Sequence, residues 1–374
     1  MQFQKWRAEF LSCERTVNFN HAGVSSVPVR VARAVTRFIE QATAIDGAVH
    51  RTWTERMESV RGSFARLIGG MASEVAFVKN TAEGLSLVAG GLDWRQGDNV
   101  VAVDGDYPSN TYPWLGLRRF GVETRMITPL AGRFGVDQVR SIADGRTRIV
   151  AVSAVDWQSG FRCDLRALGA FCRERGILLC VDGIQAVGAL QIDVEGELID
   201  CLAAGGHKWL LAPEGCGCLF VSSRVVERLN PVLLGWKSVR DAENFLPYHF
   251  DLRPDAGRFE PGTPPYLGIH ALGASLDLLH EAGPATIQAR VLDLTAQLAE
   301  GLRARGAEIL SPWEETERSG ILTFRLGNDP EGLARKLVKQ GILCRVRMGG
   351  VRLAPHFYND ENDIARFFSA LSGA

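Results

Sequence analysis

The sequence lacks the features that would place the protein at a membrane or on nucleic acid. Its 42 lysines and arginines nearly balance 43 aspartates and glutamates, so the net charge of −1 offers no basic excess for nucleic acid or anionic lipid. No apolar run reaches the roughly 20 residues that a membrane-spanning helix needs. The N-terminal stretch MQFQKWRAEFLSCERTV has neither the apolar core nor the small-residue cleavage site of a signal peptide. We therefore expect a cytoplasmic location and neither nucleic-acid nor membrane partners.

Patterns for metal and nucleotide binding are also scarce. Most of the eight cysteines lie in apolar runs, where cysteine behaves as a small buried hydrophobic residue. Cys216 and Cys218 form a C-x-C pair, but no second pair or histidine cluster completes a metal site, so a strand is the favoured interpretation. No G-x-G-x-x-G motif follows the first strand, which argues against a nucleotide-binding Rossmann protein. We expect no metal.

The strongest chemical signal lies in residues 178–211. An apolar run ends at Asp182 and predicts a buried strand that delivers a carboxylate to its C-terminal end, where open α/β sheets bind ligands. Further along, a glycine pair precedes His207 and Lys208. A lysine set among apolar residues acquires a lowered pKa and can form a Schiff base with an aldehyde. A nearby carboxylate suits the pyridinium nitrogen of pyridoxal phosphate (PLP).

A family resemblance rests on two stretches of this segment, VDGIQAVGALQIDV and LAAGGHKW. They look like the cofactor segment of the class V aminotransferases, fold-type I PLP-dependent enzymes that include cysteine desulfurases, kynureninases and isopenicillin N epimerase. The resemblance covers nearly the whole chain. It implies an α/β fold, with a large domain built on a mostly parallel seven-stranded sheet between helices and a smaller α+β C-terminal domain.

Domain boundaries follow from this resemblance and from the length of the chain. With 374 residues the chain is too long for one compact core and suits two domains. We predict an N-terminal segment bordering the active site over residues 1–25, a large PLP-binding domain over 26–260 and a small C-terminal domain over 261–374.

The resemblance also implies which residues hold the cofactor. Lys208 would carry PLP as a Schiff base and move protons at the substrate Cα, Asp182 would keep the pyridine nitrogen protonated, and His207 would contact the phosphate or the ring. The further cofactor-binding candidates are Gln185 at the ring phenolate, Thr81 and Ala82 at the phosphate, Tyr107 on the ring face, Asp156 near the ring hydroxyl, Gly205, and Thr263.

Several of these positions depart from the family pattern or allow a simpler interpretation. Thr81 begins a predicted helix whose free N–H groups suit a phosphate, although a plain helix cap also fits. Ala82 and Gly205 stand where many desulfurases have hydroxyl residues. Asp156 stands where the family often has an amide, and either tunes the ring or caps the next turn. Tyr107 precedes a proline, as the stacking aromatic of kynureninase-like members does, and is otherwise a surface loop residue.

The resemblance implies substrate and subunit contacts as well. Arg352 lies where the family binds the substrate α-carboxylate through a forked guanidinium, with Arg345 and Arg347 as weaker candidates. The alternative for Arg352 is a surface salt bridge. His21, in the N-terminal NHAG loop, either contacts the substrate or is only a turn residue. Thr263, in the loop FEPGTP, matches a threonine that reaches the phosphate of the partner subunit's cofactor in relatives, which implies a homodimer with shared active sites.

The reaction type is the least specific part of the prediction. Cysteine desulfurases carry a mobile loop with a catalytic cysteine before the strand of Arg352, and the short segment after Arg345 has none. Cys344 lies on a predicted strand and is badly placed to take up sulfur. We therefore favour C–S bond cleavage or a related β-elimination of an α-amino acid, through an external aldimine and a quinonoid. Transamination and epimerisation share that quinonoid and stay open, whereas retention of Lys208 and Asp182 argues against a catalytically silent binding protein.

Overall fold

The computed structural model describes residues 3–372, in which strands and helices alternate along the chain. The helices are α1 (Gln4–Arg7), α2 (Val29–Thr43), α3 (Val49–Leu67), α4 (Thr81–Gly91), α5 (Tyr112–Leu115), α6 (Val136–Ile142), α7 (Leu165–Arg175), α8 (Tyr266–Ala282), α9 (Pro284–Arg303), α10 (Pro330–Lys339) and α11 (Glu361–Ser372). The strands are β1 (Val17–Asn18), β2 (Val75–Val78), β3 (Asn99–Val103), β4 (Glu123–Ile127), β5 (Thr147–Ser153), β6 (Leu178–Asp182), β7 (Cys201–Gly205), β8 (Gly217–Val221), β9 (Glu308–Ile309), β10 (Leu322–Arg325), β11 (Ile342–Leu343), β12 (Arg345–Arg347) and β13 (Gly350–Leu353). None of the helices in residues 3–372 is both long and apolar enough to cross a bilayer.

The central element is a seven-stranded sheet in the order β2-β8-β7-β6-β5-β3-β4. Neighbouring strands from β7 through β4 run parallel, whereas β8 is antiparallel to both β7 and β2. The predicted α/β fold with a mostly parallel seven-stranded sheet is therefore confirmed. Because parallel strands end at the same edge of a sheet, the carboxyl ends of β3, β5, β6 and β7 meet there, and the polar residues that follow them are brought together.

The sheet is buried on both faces, which explains the nearly continuous apolar runs of its strands. In β3, Val101 and Val103 pack into the core on one side, together with residues of α3. Val100 and Ala102 pack into the core on the other side, together with residues of α4. Side chains alternate between the two faces of a strand, so a strand covered by helices on both sides has few positions for polar residues.

Helix α4 lies close against β7 because Gly84 has no side chain. A Cβ at Gly84 would lie only 2.9 Å from the Cβ of Ala203. At the N-terminus of the helix, the Asn80 side chain caps the first turn by accepting a hydrogen bond from Glu83 N at 2.9 Å. This close approach brings Thr81, the first helical residue, beside the carboxyl end of β7.

The C-terminal part of the chain contains a four-stranded sheet in the order β12-β13-β10-β9. Apolar residues of β10 and β13 pack with α9, α10 and α11 in a separate core. Strand β1, near the N-terminus, pairs in parallel with β11, so the N-terminal segment is attached to this region. Helix α8 packs through Ala271 and Ala274 against Val31 of α2. The domain boundaries at residues 25 and 260 stay a prediction.

Candidate active site

A cavity of about 420 Å³ opens at the carboxyl ends of β6 and β7 and reaches the β12–β13 hairpin. The residues predicted for the site that line it are Thr81, Ala82, Tyr107, Asp182, Gln185, His207, Lys208, Arg352 and the weaker candidate Arg347. The wall also contains Asn80, Ser109, Trp157, Ile184 and the loop of residues 22–24. The fold thus gathers into one space side chains that are far apart in the sequence.

Asp182 ends β6 and is buried, with 2% of its surface exposed. Its Oδ1 accepts a hydrogen bond from Ile184 N at 2.9 Å. Burial raises the pKa of Asp182 and the negative charge of Asp106 adds to the rise, while the Ile184 hydrogen bond and the nearby Lys208 oppose it. A buried carboxyl group of this kind is stabilised by a cationic N–H donor, which is what a pyridinium nitrogen offers.

Gln185 is held in one orientation by two hydrogen bonds. Its Nε2 donates to the carbonyl oxygen of Ala22 at 3.1 Å, and its Oε1 accepts from Trp209 Nε1 at 2.9 Å. The amide nitrogen carries a second hydrogen, since only one is used by Ala22. The side chain lies on the cavity wall, and this orientation is compatible with the predicted contact with the PLP ring oxygen. That contact stays a prediction.

Lys208 follows β7 and is only 8% exposed. Ser25 fixes the backbone here, because its Oγ donates to Lys208 O at 2.5 Å and its N donates to His207 O at 3.0 Å. Burial lowers the pKa of the Lys208 amine, Asp182 opposes that change, and nearby arginines reinforce it. Burial, together with the charge of Lys208, also lowers the pKa of His207. A lysine whose amine is more readily neutral is suited to attack an aldehyde.

The N-terminus of α4 forms the end of the cavity that suits a phosphate. Thr81 Oγ1 accepts a hydrogen bond from Gly205 N at 3.0 Å, which leaves the hydroxyl hydrogen free to donate. Ala82 also lines the cavity, in the first turn of the helix, where backbone N–H groups have no partner within the helix. Gly205 does not line the cavity, and its N–H instead orients the Thr81 hydroxyl.

An aromatic pair forms another part of the wall. The Nζ of Lys208 lies 5.3 Å from the ring centroid of Tyr107. The Tyr107 ring contacts the Trp157 ring edge to face, with centroids 5.4 Å apart. Trp157 Nε1 donates to Gly105 O at 3.2 Å, which holds the indole in place. Tyr107 is therefore part of the cavity wall, although 40% of its surface is exposed as expected for a loop residue.

Two arginines from the β12–β13 hairpin complete the cavity. Arg352 is 2% exposed, so it does not form the surface salt bridge considered as its alternative. Its guanidinium donates to the carbonyl oxygen of Trp157 and, at 3.5 Å, to Asn20 Oδ1, while its Nε has no partner within residues 3–372. Arg347 lies with its guanidinium carbon 5.0 Å from the centroid of the Trp157 ring.

The structure does not bring His21 to the cavity wall. Its ring is fully buried, with Nδ1 hydrogen-bonded to Ala354 O and Nε2 to Tyr358 OH, each at 2.7 Å. Burial lowers the pKa of His21 to about 4, so the ring is neutral at physiological pH. These contacts favour the structural alternative, a turn residue, over the predicted contact with the substrate.

Three further predicted residues also lie outside the cavity. Asp156 accepts hydrogen bonds from Gln158 N at 3.1 Å and Ser159 N at 2.6 Å, so it caps the turn after β5, as the alternative for this residue proposed. Thr263 is exposed at the surface. Arg345 is also exposed and lies opposite Arg352 across the β12–β13 pair.

Trp157 lines the cavity but was not among the residues predicted for the site. Trp157 lies four residues after the end of β5, next to Asp156. The family resemblance concerned Asp156 and gave no role to its neighbour. An aromatic residue just beyond the carboxyl end of a parallel strand was the signal available, because such positions face the ligand-binding edge of the sheet.

The cavity residues fit the cofactor that the resemblance implies. A buried amine, a buried carboxyl group, a helix N-terminus and an aromatic face correspond to the aldehyde, the pyridine nitrogen, the phosphate and the ring of PLP. The buried Arg352 adds an unpaired Nε donor to the same cavity, and a buried guanidinium of this kind is suited to an anionic group.

Comparison with known proteins relates this geometry to one family. The model described as aminotransferase class V matches residues 17–367. A probable cysteine desulfurase of Methanothermobacter thermautotrophicus is 29% identical over 93% of this chain and 92% of its own. A cysteine desulfurase of Klebsiella pneumoniae is 33% identical over 87% of this chain and 82% of its own. The structure of a cystine C–S lyase with its reaction product cysteine persulfide has the same fold, with a TM-score of 0.88 at 23% identity over 96% of this chain and 97% of that one.

Proposed function

The chain belongs to the class V aminotransferase family, and from this premise we propose that it is a PLP-dependent enzyme that breaks a C–S bond, or carries out a related β-elimination, in an α-amino acid. One observation carries the proposal: the buried Arg352, which has no carboxylate partner in residues 3–372, faces the same cavity as Lys208 and Asp182. A lone buried guanidinium is costly unless an anion pairs with it. The α-carboxylate of an amino acid is such an anion, and its amine then lies in the cavity that holds Lys208.

Each residue has a distinct part in this chemistry. When bound, PLP would supply an aldehyde and a ring that withdraws electrons from the substrate Cα. Asp182 would keep a proton on the ring nitrogen, since its buried carboxyl group favours a cationic donor. The amine of Lys208 would hold the cofactor and then move the proton at Cα, for which a lowered pKa is favourable. Arg352 would orient the substrate through its carboxylate.

The cysteines support release of a free sulfur product rather than transfer through the protein. All eight lie within residues 3–372, and none of them lines the cavity. Cys344 is 3% exposed, and burial raises the pKa of its thiol to about 12, so it is a poor nucleophile at neutral pH. Relatives named cysteine desulfurases and a fold neighbour named a cystine C–S lyase support sulfur amino acids as the substrate class.

A homodimer with shared active sites is part of the proposal. Thr263 does not line the cavity of its own subunit and is exposed, as a residue that reaches a partner's cofactor would be. A nearby segment also exposes large apolar side chains, with Leu246 68%, Tyr248 92% and Phe250 73% exposed. Exposed apolar residues grouped in this way are typical of protein interfaces.

The proposal is tested by a product assay on the PLP-loaded protein. Incubation with a panel containing cysteine, cystine, alanine and serine should yield pyruvate together with sulfide or persulfide from the sulfur amino acids. A keto acid formed only with an amino acceptor would indicate transamination instead, and a racemised amino acid would indicate epimerisation. A protein that binds PLP and converts no amino acid would contradict an enzymatic function.

A further inference from the structure

Trp209 is a buried tryptophan directly after Lys208, and the proposed chemistry gives it no role. Its side chain is fully buried, and its Nε1 donates a hydrogen bond to Gln185 Oε1 at 2.9 Å. Trp209 does not line the cavity, so any effect that it has on a ligand must pass through a neighbouring residue. Gln185 is such a neighbour, because its side chain lies on the cavity wall.

The two partners of Gln185 determine which end of its amide faces which way. An indole nitrogen only donates and a carbonyl oxygen only accepts, so Trp209 fixes Oε1 and the carbonyl of Ala22 fixes Nε2. Within residues 3–372, Trp209 supplies the donor to that amide oxygen. Without the indole N–H, a buried acceptor would be left unpaired, which is costly, and the amide would turn toward another donor.

Packing from distant parts of the chain holds the indole in place. A Cβ at Gly188 would overlap Trp209 O, so the absence of a side chain there lets the turn after β6 approach the turn after β7. His356 Nε2 is hydrogen-bonded to the same carbonyl oxygen at 3.0 Å. A Cβ at Gly320 would lie 2.6 Å from the Cη2 atom of the indole ring. These contacts fix the ring, and with it the direction in which its N–H donates.

The hydrogen bond from Trp209 also affects what the nitrogen end of the amide can donate. Hydrogen bonds in a chain polarise one another, so an amide whose oxygen accepts a hydrogen bond is a stronger donor through its nitrogen. One hydrogen of Gln185 Nε2 is used by Ala22, and the other is available. The predicted contact of this second hydrogen with the ring oxygen of PLP is therefore stronger with the indole N–H in place than without it.

We propose that Trp209 is a positioning residue that acts through Gln185 on the ring oxygen of PLP. The amide, oriented and polarised by the indole N–H, favours the negatively charged form of this oxygen. It thereby lowers the affinity for the proton that the oxygen shares with the nitrogen of Lys208 when the cofactor is attached. The inference rests on the proposed function, because it assumes that PLP occupies the cavity. It goes beyond that function by giving a role to a residue that does not line the cavity.

The pH dependence of the absorbance of bound PLP tests this role without relying on turnover. Loss of the shared proton changes the colour of the cofactor, so a titration gives the midpoint of that change. In Trp209→Phe the midpoint should rise by about half a pH unit or more, because the ring oxygen loses a well-placed donor. Gln185→Leu should raise the midpoint at least as far.

The double variant distinguishes positioning through Gln185 from a general structural effect. Adding Trp209→Phe to Gln185→Leu should cause no further rise of the midpoint, since the indole acts only through the amide. A further rise as large as that of Trp209→Phe alone would refute the proposal, because Trp209 would then act by another route.

The matched control is Trp53→Phe. Trp53 is also buried, with 5% of its surface exposed, and its Nε1 donates to Gln41 Oε1 at 3.1 Å, which is the same kind of hydrogen bond between α3 and α2. Neither of these two residues lines the cavity, so this variant should keep the midpoint of the unchanged protein. Equal rises in Trp53→Phe and Trp209→Phe would refute the proposal.

An isosteric analogue covers the case in which Trp209→Phe does not fold. Benzothienylalanine in place of Trp209 keeps the shape of the indole and has sulfur where the N–H stands, so it removes the donor alone. It should raise the midpoint as Trp209→Phe does, and an unchanged midpoint would refute the proposal.

Turnover separates the failure of this inference from the failure of the proposed function. Unchanged midpoints in a protein that releases pyruvate from sulfur amino acids would refute the role of Trp209 and leave the function intact. A midpoint raised by Trp209→Phe in a protein that converts no amino acid would support the role of Trp209 and refute the function.

Discussion

Arg61 and Glu260 form a buried ion pair that fastens the loop carrying Thr263. Arg61 Nη2 donates to Glu260 Oε2 at 3.1 Å, and the same carboxylate accepts from Phe77 N at 2.8 Å. Residues of α3 and β2 therefore hold the start of this loop through charge-assisted hydrogen bonds. Because its base is fixed, Thr263 is presented at the surface in a defined position rather than on a free loop.

The first prediction is that Thr263 supports cofactor binding from the partner subunit. Thr263→Ala should weaken PLP retention by about 1 kcal/mol, the typical contribution of one hydrogen bond. Dialysis followed by absorbance measures the loss, and Thr43→Ala, an exposed threonine on α2, is the control. Sedimentation should show a dimer. An active, PLP-loaded monomer would contradict both the dimer and the shared site.

The second prediction concerns the attachment point of PLP. Borohydride reduction followed by peptide mapping should place the pyridoxyl mass on Lys208, because this amine is buried in the cavity and has a lowered pKa. Lys79 is the natural comparison, since it lies near α4 but is 70% exposed and ion-paired with Glu83. Labelling of Lys79 or Lys237 in place of Lys208 would refute the assignment.

The third prediction is a pH dependence of cofactor loading. Only the neutral amine attacks an aldehyde, and burial lowers the pKa of Lys208 below the usual lysine value of 10.5. The fraction of neutral amine therefore rises at lower pH than for an exposed lysine. When PLP is added to the cofactor-free protein, the rate of attachment should rise with pH and level off well below pH 10.5. A rate that still rises steeply through pH 10 would indicate an unperturbed lysine.

The sequence was most informative where function depends on short segments. The apolar run over residues 177–181, just before Asp182, predicted a central strand, because strands buried on both faces have nearly continuous apolar runs, and all five residues of β6 are buried. The glycine pair before Lys208 likewise pointed to the turn after β7. Both signals lie within a few consecutive residues, so they can be recognised without knowledge of the tertiary structure.

Residues whose role depends on distant contacts could not be assigned in this way. His21 is buried by Tyr358 and Ala354, which are more than 330 residues away in the sequence. Trp157 joins the cavity because its carbonyl meets Arg352 of a hairpin near the C-terminus. No pattern around either residue indicates these partners, since they are brought together only when the C-terminal region packs on the central sheet.

The last prediction is that Arg352 binds the substrate α-carboxylate through its forked guanidinium. Arg352→Lys keeps the positive charge but loses the planar pair of donors, so it isolates geometry from net charge. By analogy with buried ion pairs, losing the bidentate hydrogen bond between Arg352 and the substrate carboxylate costs about 2–5 kcal/mol. The kcat/KM of Arg352→Lys should therefore fall about 100-fold. The absorbance of the bound PLP should stay unchanged, because Arg352 is not among the residues assigned to the cofactor. Amines made by decarboxylating accepted substrates should react poorly with the unchanged enzyme, since they lack the group that Arg352 pairs with. If such amines react as well as the parent amino acids, or if Arg352→Lys has the kinetics of the unchanged enzyme, the carboxylate site lies elsewhere, and Arg347 becomes the guanidinium to test.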